Sequence, residues 1–221
     1  MFHEAGGIKL FYEKTGEGRP ILLLHGNGED HHVFDILSEQ LSPSFSCYAL
    51  DSRAHGQSQG ANVLHYMDMM EDVASFALRA GLRRPALYGF SDGGIVGLLL
   101  AIHYPDMLSA LAISGANITP DGVKPSLKWM MRRQWKKSKD PKLAMMLFEP
   151  HISLASLSSI RVPTLVLAGS KDIIPQAHTK VIARHLPNSE LRILPGEGHG
   201  SYVVHSPKLY SHIIKFLQTH P

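Results

Sequence analysis

The segment Gly89-Phe90-Ser91-Asp92-Gly93 sets a serine between two glycines, each two residues away. An apolar run from Pro85 to Gly89 precedes the serine and reads as a buried strand. The stretch after it, Gly93 to His103, is apolar nearly all round and reads as a buried helix. A strand-to-helix turn this tight crowds its neighbours, so only glycine fits at 89 and 93. It also leaves the serine hydroxyl exposed at a helix N-terminus, where amide N–H groups favour developing negative charge. Such a serine can attack a carbonyl, provided that an adjacent base takes its proton.

Fourteen histidines are present, and position selects one as that base. His199 lies in Gly196-Glu197-Gly198-His199-Gly200, just after the last predicted strand, on a glycine-flanked loop able to turn an imidazole over Ser91. His205 and His212 fall in the following predicted helix, and His185 precedes the final strand. The acid that would orient the imidazole is Asp172, in Gly169-Ser170-Lys171-Asp172 beyond the strand Thr164 to Ala168. Asp121 and Asp140 fall in an insertion, and Ser114-Gly115-Ala116-Asn117 carries no acid. His25-Gly26-Asn27-Gly28 closes an early buried strand and supplies a loop whose backbone can approach an oxyanion. The expected backbone donors are Asn27 and Asp92. His25 is expected to pack beneath that loop. The Asp92 side chain is expected near the acyl site, where it would hold a cationic substrate group. Glu29, Asp30, His31 and His32 cluster metal-binding types but lack the helical spacing of a zinc site, so no metal is expected.

The elements needed to position these residues alternate strand and helix, which points to an α/β fold: a mostly parallel sheet with helices on both faces. Strands are predicted at Ile8–Lys14, Pro20–His25, Ser46–Leu50, Pro85–Gly89, Leu108–Ser114, Thr164–Ala168 and Leu191–Leu194. Further helices are predicted between Met67 and Leu78, ending near Gly81, and over Val181–Leu186 and Tyr202–Leu217. The rhythm breaks over residues 117–157, which hold both tryptophans and four methionines without a buried-strand run. This segment is read as a helical cap over the carboxyl edge of the sheet, where open α/β sheets bind ligands. Residues 1–116 and 158–221 form the core domain. Trp129 and Met130 are expected to face the site as substrate contacts, with Lys128, Arg132 and Lys136 outward. The cap methionines fit either an adaptable pocket wall or the core of a helix pair.

At 221 residues, with 44% hydrophobic and 19% charged residues, the chain suits one globular domain. The net charge of +3 is uneven. Seven basic residues and no acid lie between Lys124 and Lys139, leaving 15 basic against 19 acidic residues elsewhere, about −4. That is too narrow a footprint for nucleic acid binding. The single cysteine, Cys47, excludes an internal disulfide framework. The N-terminus has no apolar signal segment, and no apolar run is long enough to span a bilayer, so a cytoplasmic protein is expected.

Taken in order, His25-Gly26-Asn27-Gly28, Asp51 to Ser58, the Ser91 turn, Gly169 to Asp172 and Gly196 to His199 resemble the α/β-hydrolase superfamily. Within it, the small-cap esterases, amino-acid ester hydrolases, proline iminopeptidases and carbon–carbon bond hydrolases are most similar. The resemblance covers nearly the whole chain outside the insertion. It implies an eight-stranded sheet, a cap after the sixth strand, no cofactor, and a nucleophile, acid and base at Ser91, Asp172 and His199. The implied activity is cleavage of a small carboxylic ester, thioester or amide through an acyl-enzyme. Carbon–carbon hydrolysis or cofactor-free perhydrolysis would use the same residues, and a small-ligand receptor is the non-enzymatic alternative. The serine at 91 excludes an aspartyl-ester route. Two departures stand out: Ala54 replaces a common glycine, and the cap is short, which implies a shallow, open pocket.

Overall fold

In a computed structural model, which describes residues 1–5 and 7–220, the chain forms one eight-stranded sheet with helices on both faces. The strands are β1 (Phe2–Ala5), β2 (Ile8–Thr15), β3 (Arg19–Leu24), β4 (Phe45–Leu50), β5 (Ala86–Phe90), β6 (Ala110–Ser114), β7 (Thr164–Gly169) and β8 (Ser189–Leu194). Their spatial order is β1-β2-β4-β3-β5-β6-β7-β8. Pairing is antiparallel at β1–β2 and β2–β4 and parallel from β4 to β8. The apolar runs explain this layout. β5, β6 and β7 are buried throughout, as strands covered on both faces must be, whereas β2, next to the edge strand β1, buries only Leu10 fully.

The pleat divides the core between the two faces of the sheet. Leu22, Leu24, Leu87, Ile113 and Val166 point to one face. That face packs under α2 (Tyr66–Arg79), α3 (Asp92–His103), α6 (Leu154–Ser159) and α7 (Gln176–His185). Ile21, Leu23, Tyr88, Ala112 and Leu165 point to the other, under α1 (Asp35–Leu41) and α8 (Tyr210–Thr219). Among the described residues, no helix is long and apolar enough to cross a membrane.

Three elements differ from the sequence reading. β1 is an unpredicted edge strand, only four residues long. α1 is also additional. The last helix begins at Tyr210 rather than Tyr202, because residues 200–205 form turns that bury Tyr202 and Val203.

The insertion follows β6, the sixth strand, and contains α4 (Pro125–Ser138) and α5 (Pro141–Phe148), packed on each other. Each begins with proline, whose fixed φ suits a first helical turn. The predicted boundary at 157 falls inside α6, which packs on α3 and α7 of the core, so the segment that stands over the sheet ends before α6. Ala54 adopts φ +60°, a left-handed conformation that favours glycine, and so keeps the turn that a glycine would otherwise make.

Candidate active site

β5 ends one residue before Ser91, and α3 begins one residue after it. Ser91 itself has φ +53° and ψ −112°, strained values for a residue with a side chain. A Cβ on Gly89 would lie 2.2 Å from the Gly93 carbonyl oxygen, and one on Gly93 would lie 2.1 Å from that of Leu24. Neither position can hold another residue without opening the turn. From it, Ser91 Oγ reaches His199 Nε2 at 3.1 Å. His199 Nδ1 lies 2.6 Å from Asp172 Oδ1. That spacing lets Nδ1–H donate to the carboxylate and leaves Nε2 to accept from the serine hydroxyl. Asp172 is buried and its Oδ1 also accepts the Ile174 N–H at 2.9 Å, which fixes the carboxylate plane.

Gly115, just after β6, backs the imidazole. It has φ +62°, and a Cβ there would lie 2.6 Å from His199 Cε1 and 2.9 Å from Nδ1. Gly115→Ala is therefore expected to push the ring off Ser91 and lower kcat/KM about a hundredfold, because a 1 Å misplacement has that effect. A kinetic comparison with wild type, beside a thermal melt showing a folded variant, checks this.

The loop after β3 faces Ser91 from the opposite side. His25 is buried, with Nδ1–H donating to the Gly26 carbonyl at 2.8 Å and Nε2 accepting the Ser52 N–H at 3.0 Å. Burial holds its pKa below the ordinary value, so it sits neutral under the loop. Fully buried Asp51 ties the next turns together: Oδ1 accepts from the His31 backbone and Nδ1, and Oδ2 from the Gln57 N–H. Asp30 Oδ1 accepts the His32 N–H, so Asp30 and His31 both serve as loop braces. The Asp92 N–H opens α3 and has no acceptor within its helix, and the Asn27 N–H is likewise unpaired among the described residues. A pocket of about 220 Å³ lies over these groups. Its floor is Gly26, Asn27, Glu29, Phe90, Ser91 and His199, and its walls are Leu127, Met131, Leu143, Met146 and Ile173.

Residues 19–147 match the sequence model of the alpha/beta hydrolase fold. The chain belongs to the alpha/beta hydrolase family. It is similar to the serine hydrolase BPHL of Homo sapiens, at 26% identity over 89% of this chain and 79% of that one. It is also similar to the pimeloyl-[acyl-carrier protein] methyl ester esterase of Sodalis glossinidius, at 31% identity over 55% of this chain and 47% of that one. Among solved structures, a thermophilic esterase from Thermogutta terrifontis superposes with a TM-score of 0.85 at 24% identity, covering 100% of this chain and 99% of that one.

In this hydrolase the structure brings Ser91, Asp172, His199, Asn27 and Asp92 together, but three expected substrate contacts are elsewhere. The Asp92 carboxylate is buried and committed: Tyr66 donates its hydroxyl to Oδ1 at 2.7 Å, and Asn27 Nδ2 donates to Oδ2 at 2.9 Å. Burial raises its pKa, the two donors oppose that rise, and the carboxylate does not line the pocket. It instead locks the Asn27 loop to α3. Trp129 and Met130 face solvent, at 62% and 59% exposure. The inward stripe of α4 is Leu127 and Met131, one turn apart, and Trp129 sits about 200° round the helix from Leu127. Arg132 and Lys136 are exposed as expected, whereas Lys128 is half-buried and paired with Asp121. The methionines divide: Met131 and Met146 line the pocket, Met145 joins the core and Met130 is outside.

Proposed function

We propose that this hydrolase cleaves small carboxylic esters, with thioesters or amides as chemical neighbours, through an acyl-enzyme on Ser91. The observation that carries the reading is the continuous chain from Asp172 through His199 to Ser91, with distances of 2.6 and 3.1 Å. His199 Nε2 takes the serine proton as Oγ attacks the carbonyl, and Asp172 stabilises the resulting imidazolium. The Asn27 and Asp92 N–H groups donate to the oxyanion, and the C–O bond to the alcohol breaks as His199 returns the proton. Water, deprotonated by the same imidazole, then releases the acid. The apolar walls from α4 and α5 receive the acyl chain, so these two helices act chiefly as a substrate cover. The names of two sequence relatives, a serine hydrolase and a methyl ester esterase, support the same reaction class. The single cysteine, Cys47, is buried, and a chain without a disulfide fits a cytoplasmic setting.

Rapid mixing with p-nitrophenyl butyrate is the test. A burst of nitrophenolate close to one equivalent, with butyryl mass on the Ser91 peptide after acid quench, is expected if deacylation is the slower step. Absence of both turnover and acylation over a panel of short esters would overturn the reading.

A further inference from the structure

Both oxyanion donors are main-chain N–H groups, so their aim depends on the side chains that hold the Asn27 and Asp92 backbones. The Asp92 carboxylate is buried and takes two hydrogen bonds: the Asn27 side-chain amide donates to Oδ2 at 2.9 Å, and the Tyr66 hydroxyl donates to Oδ1 at 2.7 Å. This carboxylate therefore ties one donor residue to the other. Tyr66 is 2% exposed and does not line the Ser91 pocket, so it acts on the site only through its neighbours. It is itself held in place. As the first residue of α2, it donates its N–H at 3.1 Å to Oε2 of Glu149, the residue that follows cap helix α5.

Burial gives the hydroxyl its task. A carboxylate out of water stays charged only where donors replace the lost solvent. Burial raises the Asp92 pKa, and the Tyr66 hydroxyl, followed by the Asn27 amide, opposes that rise. The charge matters to Asn27. An ionised oxygen only accepts, so it selects the NH₂ end of the Asn27 amide and fixes that side chain. Were Oδ2 protonated, its O–H would face the amide N–H and the link would open. Building on the Ser91 reading above, we propose that Tyr66 is a positioning residue of this hydrolase, keeping the Asn27 and Asp92 N–H groups aimed at the oxyanion through the Asp92 carboxylate. Without its hydroxyl the two donors lose their aim. The transition state then suffers more than bound substrate, because charge on the carbonyl oxygen develops only there.

Tyr66→Phe removes the hydroxyl and keeps the ring. On p-nitrophenyl butyrate it is expected to lower kcat about ten- to hundredfold, less than outright loss of a donor, with KM changed by less than about threefold. Propylboronic acid reads the oxyanion site directly. Ser91 Oγ adds to boron, its proton passes to His199, and the tetrahedral boronate sets a hydroxyl oxygen against the two N–H groups. Its inhibition constant should rise by about the same ten- to hundredfold. A tyrosine serving only the fold would lower the melting temperature and leave both readings of the folded variant at wild-type values, which overturns the proposal. Asp92→Ala keeps the main-chain N–H and removes the link, so adding Tyr66→Phe to it should cost less than about twofold more. An equal loss from Tyr66→Phe in both backgrounds also overturns the proposal. Where Tyr66→Phe alone does not fold, the double variant decides. Boronate affinity equal to that of Asp92→Ala and at least about tenfold below wild type supports the proposal, and a drop beyond about twofold from Asp92→Ala overturns it. Loss of boronate affinity in Tyr66→Phe, with no ester turned over by wild type, would strike the ester-cleavage reading alone. Turnover that Tyr66→Phe leaves unchanged would strike the positioning role alone.

Discussion

Ser91→Ala is expected to lower kcat/KM on a short ester by a factor on the order of 10⁴ to 10⁶ while leaving a folded protein. The loss is large because the bond-forming atom is removed, and the residual rate reflects only the oxyanion donors and pocket acting on water. Alanine retains the Cβ and therefore the strained φ of +53°. Its melting temperature should stay near that of wild type. Ser91→Gly separates chemistry from strain. It should be equally inactive yet more stable, by about 1 kcal/mol, because glycine adopts a positive φ without steric cost. Asp172→Asn should reduce kcat/KM by roughly 10³ to 10⁴ at neutral pH, since an amide at Oδ1 no longer secures the Nδ1–H tautomer. Measurable single-turnover acylation in Ser91→Ala at near wild-type rate would show that another residue is the nucleophile.

These residues were legible in the sequence because their geometry demands particular residue types. The turn at Ser91 leaves no volume for a side chain at 89 or 93, and parallel strands buried on both faces read as unbroken apolar runs. Other features lacked such a signature. β1 pairs only at an edge, and four residues carry too little periodicity to distinguish a strand. α4 has apolar residues around much of its circumference, so the pattern could not say whether Leu127 and Met131 or Trp129 and Met130 face the sheet. Tertiary packing decided it. The buried position of the Asp92 carboxylate is illegible for a related reason. Its neighbours in the fold, Tyr66 and Asn27, come from segments 26 and 65 residues away, and sequence spacing holds no trace of those bonds. In the sequence, Gly115 stands out only as part of a segment without an acid. Its φ of +62° and its contact with His199 give the reason for glycine there. In the sequence, Glu29 reads only as one of a cluster of metal-binding residue types. It stands three residues after the loop glycine whose N–H it accepts, a spacing that suits a local turn beside the pocket.

Lowering pH from about 7 to 5 is expected to destabilise wild type by about 2 kcal/mol more than a His55→Gln variant. His55 is buried beside His25, their ring centroids 5.1 Å apart. Its Nδ1–H donates to the Arg53 carbonyl at 2.9 Å, and its Nε2 is sealed without a partner. A proton added at Nε2 would sit in a site offering no acceptor. Burial is the largest cause of a folded-state pKa of about 4, and His25 and Lys142 oppose the charged form further, while the Arg53 carbonyl and Asp51 partly favour it. The unfolded chain, titrating near 6.5, binds the proton first as pH falls. Stability linked to His55 is therefore complete above about pH 6.5 and is lost progressively down to the folded-state value near 4, about 3 kcal/mol in all. Glu29, Asp72 and Asp92, whose pKa values burial raises, act with the opposite sign, gaining relative stability as pH falls. For that reason the readout is the difference between two proteins sharing those carboxylates. Urea unfolding at both pH values gives it, and parallel losses in wild type and His55→Gln would show that this imidazole stays as free to protonate in the fold as in water.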